Sequence, residues 1–220
     1  QNQGEAGIDC GGPCSNLCTA QEQRPTVLFT KVIQNGVGRV DIVAEVENKN
    51  LDAAAKNVPY SITLYGTDQS VLQKGAGTLD LPPGVSVPIF VPGILFEKHK
   101  VGNAFLDIAS SSPQWFAMTI DTRIVPTVSN KPMYGGTTES PRIEAIFMKK
   151  SVVAMNNVRA IILVHNNKGD VIAASSTVVP VISAQGQATA TFTWNEPFSS
   201  SPASVEVVPI IPLPAQAGLP

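Results

Sequence analysis

The residues Asn57-Val58-Pro59-Tyr60-Ser61-Ile62-Thr63-Leu64 return about one hundred residues later as Asn157-Val158-Arg159-Ala160-Ile161-Ile162-Leu163-Val164. The match continues on both sides of this block. Val71-Leu72 meets Val171-Ile172, and Phe105-Leu106-Asp107-Ile108 meets Val205-Glu206-Val207-Val208. Gly84 and Phe90 meet Gly186 and Phe192 after a two-residue insertion. Such a period is too long for a solenoid unit and fits a duplicated domain.

Within each copy the period is two. Ile42, Ala44 and Val46 alternate with Asp41, Val43, Glu45 and Glu47, and Tyr60, Ile62 and Leu64 alternate with Ser61 and Thr63. Phe116, Met118 and Ile120 do the same, as do Ile143, Ala145 and Phe147, and Ala188, Ala190, Phe192 and Trp194. Successive strand side chains point to opposite faces, so alternation between turn residues marks half-buried antiparallel strands. Turns are signalled at Asn35-Gly36, Gly66-Thr67-Asp68, Pro82-Pro83-Gly84 and Asn166-Asn167-Lys168-Gly169-Asp170. The expected fold is therefore all-β: two tandem Ig-like antiparallel β-sandwiches, each independently folded, behind a short cysteine-rich segment. The one helical candidate, Leu51 to Lys56, is long enough for a single turn.

Domain boundaries follow from composition. Residues 1–24 form the cysteine-rich segment, 25–126 the first sandwich and 141–212 the second. The Pro/Gly/Thr/Ser-rich stretch 127–140 reads as a linker, and 213–220 as a Pro-rich tail leading to a further domain or an anchor. Charged residues make up only 15% of the chain and its net charge is −2, with no basic cluster beyond Lys149-Lys150. A nucleic-acid partner is not expected on that footing. No apolar run approaches the roughly 20 residues of a membrane span.

All three cysteines, Cys10, Cys14 and Cys18, fall in one short Gly/Pro-rich segment. A segment so poor in apolar side chains needs covalent closure to stay compact, so disulfides are expected and the protein belongs in an oxidising compartment. The odd count requires a fourth cysteine upstream of Gln1 or a bond to another chain. Zinc is the weaker reading, because a structural site wants two separated ligand pairs and no second set exists. Oxygen ligation of Ca²⁺ by Asn2, Glu5 and Asp9 competes with the simpler reading of a solvated acidic turn. No metal and no cofactor are expected.

The run Asn2 to Asp9 followed by Cys10-Gly11-Gly12-Pro13-Cys14 and closing at Cys18 resembles a cysteine motif common in exported bacterial surface proteins. The resemblance implies an extracellular or cell-surface location. A second resemblance spans most of the chain. Val46-Glu47-Asn48-Lys49-Asn50, Val58 to Tyr65, Val71-Leu72 and Leu81-Pro82-Pro83-Gly84 are similar to FxLYD-type domains of bacterial envelope proteins and to LEA14/WHy-type domains, whose Asn-Pro-Asn is approximated by Asn48-Lys49-Asn50. Both families imply Ig-like sandwiches without catalytic residues.

The residues offer little chemistry. His99 lies in the charged run Glu97-Lys98-His99-Lys100 and His165 beside the Asn166-Asn167 turn, neither near a nucleophile, a paired carboxylate or a metal-ligand motif. No enzymatic activity is expected. Trp115 and Trp194 lie near strand ends and are the candidate aromatics for a ligand loop, since an exposed indole can stack on a sugar; closing their own cores is the commoner use. Specificity, if any, is expected in loops such as Phe96 to Gly102 and Ser110 to Trp115. The expected role is that of a surface stalk or adhesin-type spacer whose partners are other cell-envelope or surface proteins, or further copies of this chain. Two alternatives stand beside it. One is a filament subunit joined by strand addition through Val205 to Ile211 or Val27 to Ile33; the other is a carbohydrate-binding module.

Overall fold

In the computed structural model, residues 16–18, 22–95, 101–109, 113–129 and 132–214 are described. Among them every regular element is a β-strand. In the first copy, β1 (Thr26–Gln34), β2 (Arg39–Glu47) and β5 (Ser86–Leu95) form one antiparallel sheet in the order β1-β2-β5. Its partner sheet holds β4 (Val71–Leu81), β3 (Ala53–Gly66) and β6 (Val101–Asp107) in the order β4-β3-β6, with β7 (Trp115–Ala117) also on β3. Inward side chains of both sheets, among them Ile42, Val46, Ile62, Leu64, Leu106 and Trp115, make a single core.

The second copy repeats this plan. β13 (Gln187–Thr193), β10 (Arg142–Met148) and β8 (Thr127–Ser129) form one sheet, with β9 (Met133–Tyr134) also on β10. β12 (Val171–Ile182), β11 (Met155–His165) and β14 (Ser204–Ile210) form the other. Ile143, Phe147, Ile162, Phe192 and Trp194 fill the space between them. The all-β architecture and its antiparallel sheets agree with the alternation in the sequence.

Several local expectations change. The stretch 127–140 is more than a connector: β8 and β9 both pair with β10, in the place that β1 takes on β2. The second sandwich thus recruits an interrupted first strand from the Pro/Gly-rich segment. The expected helical turn at Leu51 to Lys56 is extended chain instead, with Ala53 to Ala55 paired to β7. All three alanines are fully buried, and close packing on both faces overrides their helix propensity. Alternation after Phe116 does not extend the strand either. β7 ends at Ala117, Ile120 is 75% exposed, and Phe116 and Met118 pack with Ala54 and Leu213.

Backbone geometry explains why an asparagine heads each repeat block. Asn57 and Asn157 both have left-handed φ, near 53° and 52°, and the β3–β4 ladder shifts register around Asn57. Asparagine tolerates that region better than most side chains. The hydrogen-bond register also corrects the repeat alignment. Asn48 N–H donates to Val85 O and Lys149 N–H to Gly186 O, so Gly84 corresponds to Gln185 and both have positive φ. By the same register Val91, not Phe90, corresponds to Phe192, and Phe105 corresponds to Glu206.

Candidate functional site

The two sandwiches are joined by a third apolar cluster. Val43 and Phe90, with Phe29 and Ile33 beside them, project from the outer face of the β1-β2-β5 sheet. They meet Ile161, Leu163, Val171 and Ala174, with Ile210, on the outer face of the β12-β11-β14 sheet. Four sheets therefore stack in series. The two central ones are covered on both faces, which is why β11 carries the contiguous apolar run Ala160 to Val164 and β2 keeps Val43 apolar on the face opposite Ile42 and Ala44. Val43, which alternates out of phase with Ile42, Ala44 and Val46, and Phe90 are 0% and 7% exposed and lie in this seam.

A strap after β14 adds a second tie. Leu213, 2% exposed, packs on Ala54, Phe116 and Met118 of the first sandwich. Its N–H donates to Asp80 Oδ2 at 2.7 Å, and its carbonyl accepts from Lys56 Nζ at 2.9 Å. Arg123 donates to the Ile211 carbonyl at 2.9 Å and pairs with Asp121, which holds the Asp121 carboxyl below its ordinary value. The start of the expected tail thus belongs to the block; residues 215–220 lie outside the described ones.

The Asn48-Lys49-Asn50 motif is a buried hydrogen-bond hub. Asn48, 1% exposed, donates from Nδ2 to the carbonyls of Ala53 at 2.9 Å and Pro82 at 2.8 Å, with Leu81 O at 3.3 Å. Its Oδ1 accepts from Asn50 N–H and from Asn50 Nδ2, both at 3.0 Å. Asn50 in turn exchanges two bonds with the backbone of Gln23. Two side chains thereby fix the β2–β3 crossover, the end of β4 and the chain entering β1. Lys149 stands at the Asn48 position in the second copy, also buried, and its Nζ makes no hydrogen bond among the described residues.

Asp41 is a second buried polar group. Its carboxylate accepts from Gly93 N–H and Asn35 Nδ2, both at 2.7 Å. Gly93 lies at a register break in the β2–β5 ladder with φ near 69°, so Asp41 satisfies an N–H that the ladder leaves over. Burial pushes the Asp41 carboxyl up, opposed by these two bonds and by the charge of Arg39. At the rim of the seam, burial and the facing Glu206 carboxylate raise Glu45, against a bond from Ser86 and the nearby His165. His165 Nε2 lies 3.9 Å from Glu206 Oε2.

The candidate residues named from sequence do not converge. Trp115 is 1% exposed inside the first core, and Trp194 is 8% exposed, donating from Nε1 to Ala174 O at 2.9 Å and meeting Phe198 edge-on. Both indoles close cores, so neither offers a free face for stacking on a sugar. Cys18 is disulfide-bonded. Cys10 and Cys14 lie outside the described residues, as do Phe96 to Lys100 with His99 and Ser110 to Ser112. The cysteine segment is stitched to the first sandwich: Leu17 N–H donates to Trp115 O at 2.8 Å, and Asn16 bridges to Phe116. The two segments considered for strand addition are paired in their own sheets, β14 with β11 and β1 with β2.

Among the described residues no group of three or more His, Cys, Asp and Glu side chains could hold a metal ion, and no helix is long and apolar enough to cross a membrane. What sequence reasoning missed is the seam with its flanking grooves. The contiguous apolar stretch Ala160 to Val164 was the signal for a strand covered on both faces. No protein-family model matches this chain, and no curated protein matches it. Among solved structures it is similar to red sea bream transglutaminase, with a TM-score of 0.30 and 13% identity over 85% of this chain and 29% of that chain. The chain spans under a third of that protein, and a likeness of this degree carries no argument about activity.

Proposed function

We propose that this chain is a non-enzymatic structural block of the cell exterior, a spacer or presenting element that turns nothing over. The observation that carries this reading is the apolar seam between the sandwiches, reinforced by the Leu213 strap. A flexible pair of beads transmits orientation poorly, whereas two sandwiches fused through a buried face hold what is attached at either end in a fixed relation. The buried polar side chains Asn48, Asn50 and Asp41 bond mainly to backbone groups and to neighbouring side chains, which serves rigidity. The disulfide at Cys18 and the resemblance of the cysteine segment to exported surface proteins support the location. Its partners on this reading are other envelope or surface proteins, or further copies of the chain.

Electron microscopy of intact source cells labelled with an antibody to this chain tests the reading. Label over the envelope is the expected result. Label confined to the cytoplasm refutes it, because the disulfide and the presenting role both need an exterior site.

A further inference from the structure

Two grooves flank the seam, and they differ in which polar groups remain free. The first, about 510 Å³, runs past the Asn35-Gly36 turn to Trp194 and Glu196. Its buried acid, Asp41, has both oxygens engaged by Gly93 and Asn35. The second, about 540 Å³, lies on the other side between β3 to β5, β11, β14 and the strap. That volume is within the roughly 300–1,000 Å³ of small-molecule sites.

The floor of the second groove is apolar, built from residues such as Val87, Ile89, Ile161 and Ile210. On its walls Lys56, Arg123 and Arg159 outnumber Asp80 and Asp121. Most of these charges are already used. Asp80 accepts from the N–H groups of Asn57 and Leu213, Asp121 pairs with Arg123, and Lys56 and Arg123 donate to strap carbonyls. The guanidinium of Arg159 is left exposed, with no hydrogen bond or ion pair among the described residues. Across the groove the Tyr60 hydroxyl is half-buried and has no hydrogen-bond partner among the described residues.

We propose that this groove binds a small amphipathic carboxylate. Its apolar chain or ring lies on the floor, and its single anionic group takes the Arg159 guanidinium and the Tyr60 hydroxyl. Arg159 belongs to the second sandwich and Tyr60 to the first, and the two are close enough to interact: burial raises the Tyr60 hydroxyl and the Arg159 charge draws it back. A planar guanidinium with free donors is the side chain best matched to a carboxylate. A ligand with an apolar body and no charge would leave Arg159 as it is, and a small polar anion would leave the floor bare. Since both sandwiches and the strap supply walls, the ligand binds only the closed block and stabilises it by mass action. The inference is independent of the presenting role.

Octanoate titrated calorimetrically into the full chain is the direct probe, with 1-octanol as the uncharged control. Saturable one-site binding of octanoate is expected, with octanol about ten-fold weaker or worse. Arg159→Gln should weaken octanoate binding about ten-fold and leave octanol unchanged. Val125→Trp, at a 46% exposed position on the groove rim, should block both without disturbing either core. Three results overturn the proposal: no saturable binding of octanoate, equal binding of octanol, or an Arg159→Gln protein that binds octanoate like the parent. Unchanged urea midpoints for both variants establish that any loss is local to the groove.

Discussion

Replacing Asn48 by alanine isolates what a single buried amide contributes to this fold. Its Nδ2 makes two well-formed bonds, to Ala53 O and Pro82 O, and its Oδ1 receives the Asn50 N–H. Truncation strands these three backbone groups in a site where Asn48 is 1% exposed and Asn50 5%. A buried group that loses its partner costs about 1–3 kcal/mol. The lower end applies where water can enter the space left by the amide, so the three together come to about 3 kcal/mol. For a chain of this size that corresponds to a fall of about 6–12 °C in Tm if the block melts as one unit. The Lys49→Ala control removes an exposed residue whose ion pair with Glu47 spans 3.7 Å, and should stay within about 0.5 kcal/mol. Equilibrium urea unfolding followed by tryptophan fluorescence reads both variants, since Trp115 lies in the affected core. An Asn48→Ala protein within about 1 kcal/mol of the parent would refute the hub, and with it the reason for the motif.

Val43→Asp places a carboxylate in the seam without touching either core; calorimetry should then resolve two transitions, and the radius of gyration from X-ray scattering should rise. A single transition with an unchanged radius would count against the seam as the joint. Asp41→Asn should flatten part of the pH dependence of stability. The Asp41 carboxyl is raised in the folded state, so its contribution is complete below its ordinary value of 3.8 and is lost as pH climbs through the raised value. Urea midpoints at successive pH values should therefore fall less steeply in that window for Asp41→Asn than for the parent, and equal slopes would refute the assignment.

The strands, the duplicated plan and the turns were legible in the sequence because each rests on local periodicity. Ile42, Ala44 and Val46 alternate because one face meets a core, and Asn57 and Asn157 recur because one backbone conformation recurs. What was not legible depends on contacts far apart in sequence. Alanines at 53–55 suggest a helix until β7 arrives from sixty residues away to pair with them. Matching Gly84 to Gly186 followed residue type, whereas the ladder matches Gly84 to Gln185 by conformation. The tryptophans were ambiguous for a related reason: position near a strand end does not say which way an indole points, and both point inward.

The seam also explains how the two copies have diverged. In the β2–β5 ladder the pair Val43–Phe90 faces the second sandwich; the corresponding pair in the second copy is Glu144–Thr191. In the β11–β12 ladder Leu163–Ala174 faces the first sandwich; the corresponding pair in the first copy is Thr63–Lys74. Ile161 is likewise matched by Ser61. Each sheet that meets its neighbour is apolar at these positions, and each sheet at the end of the stack is polar at the same ones. A further sandwich docking in the same manner would have to cover the Arg142–Glu144 ion pair at one end or Lys74 at the other, and taking such charges out of water offsets what apolar contact returns. The apolar seam is thereby favoured between these two sandwiches over a repeat of it at either outer face. The strand edges are guarded in a different way, since the prolines at 88, 92 and 209 interrupt the edge strands β5 and β14 as donors.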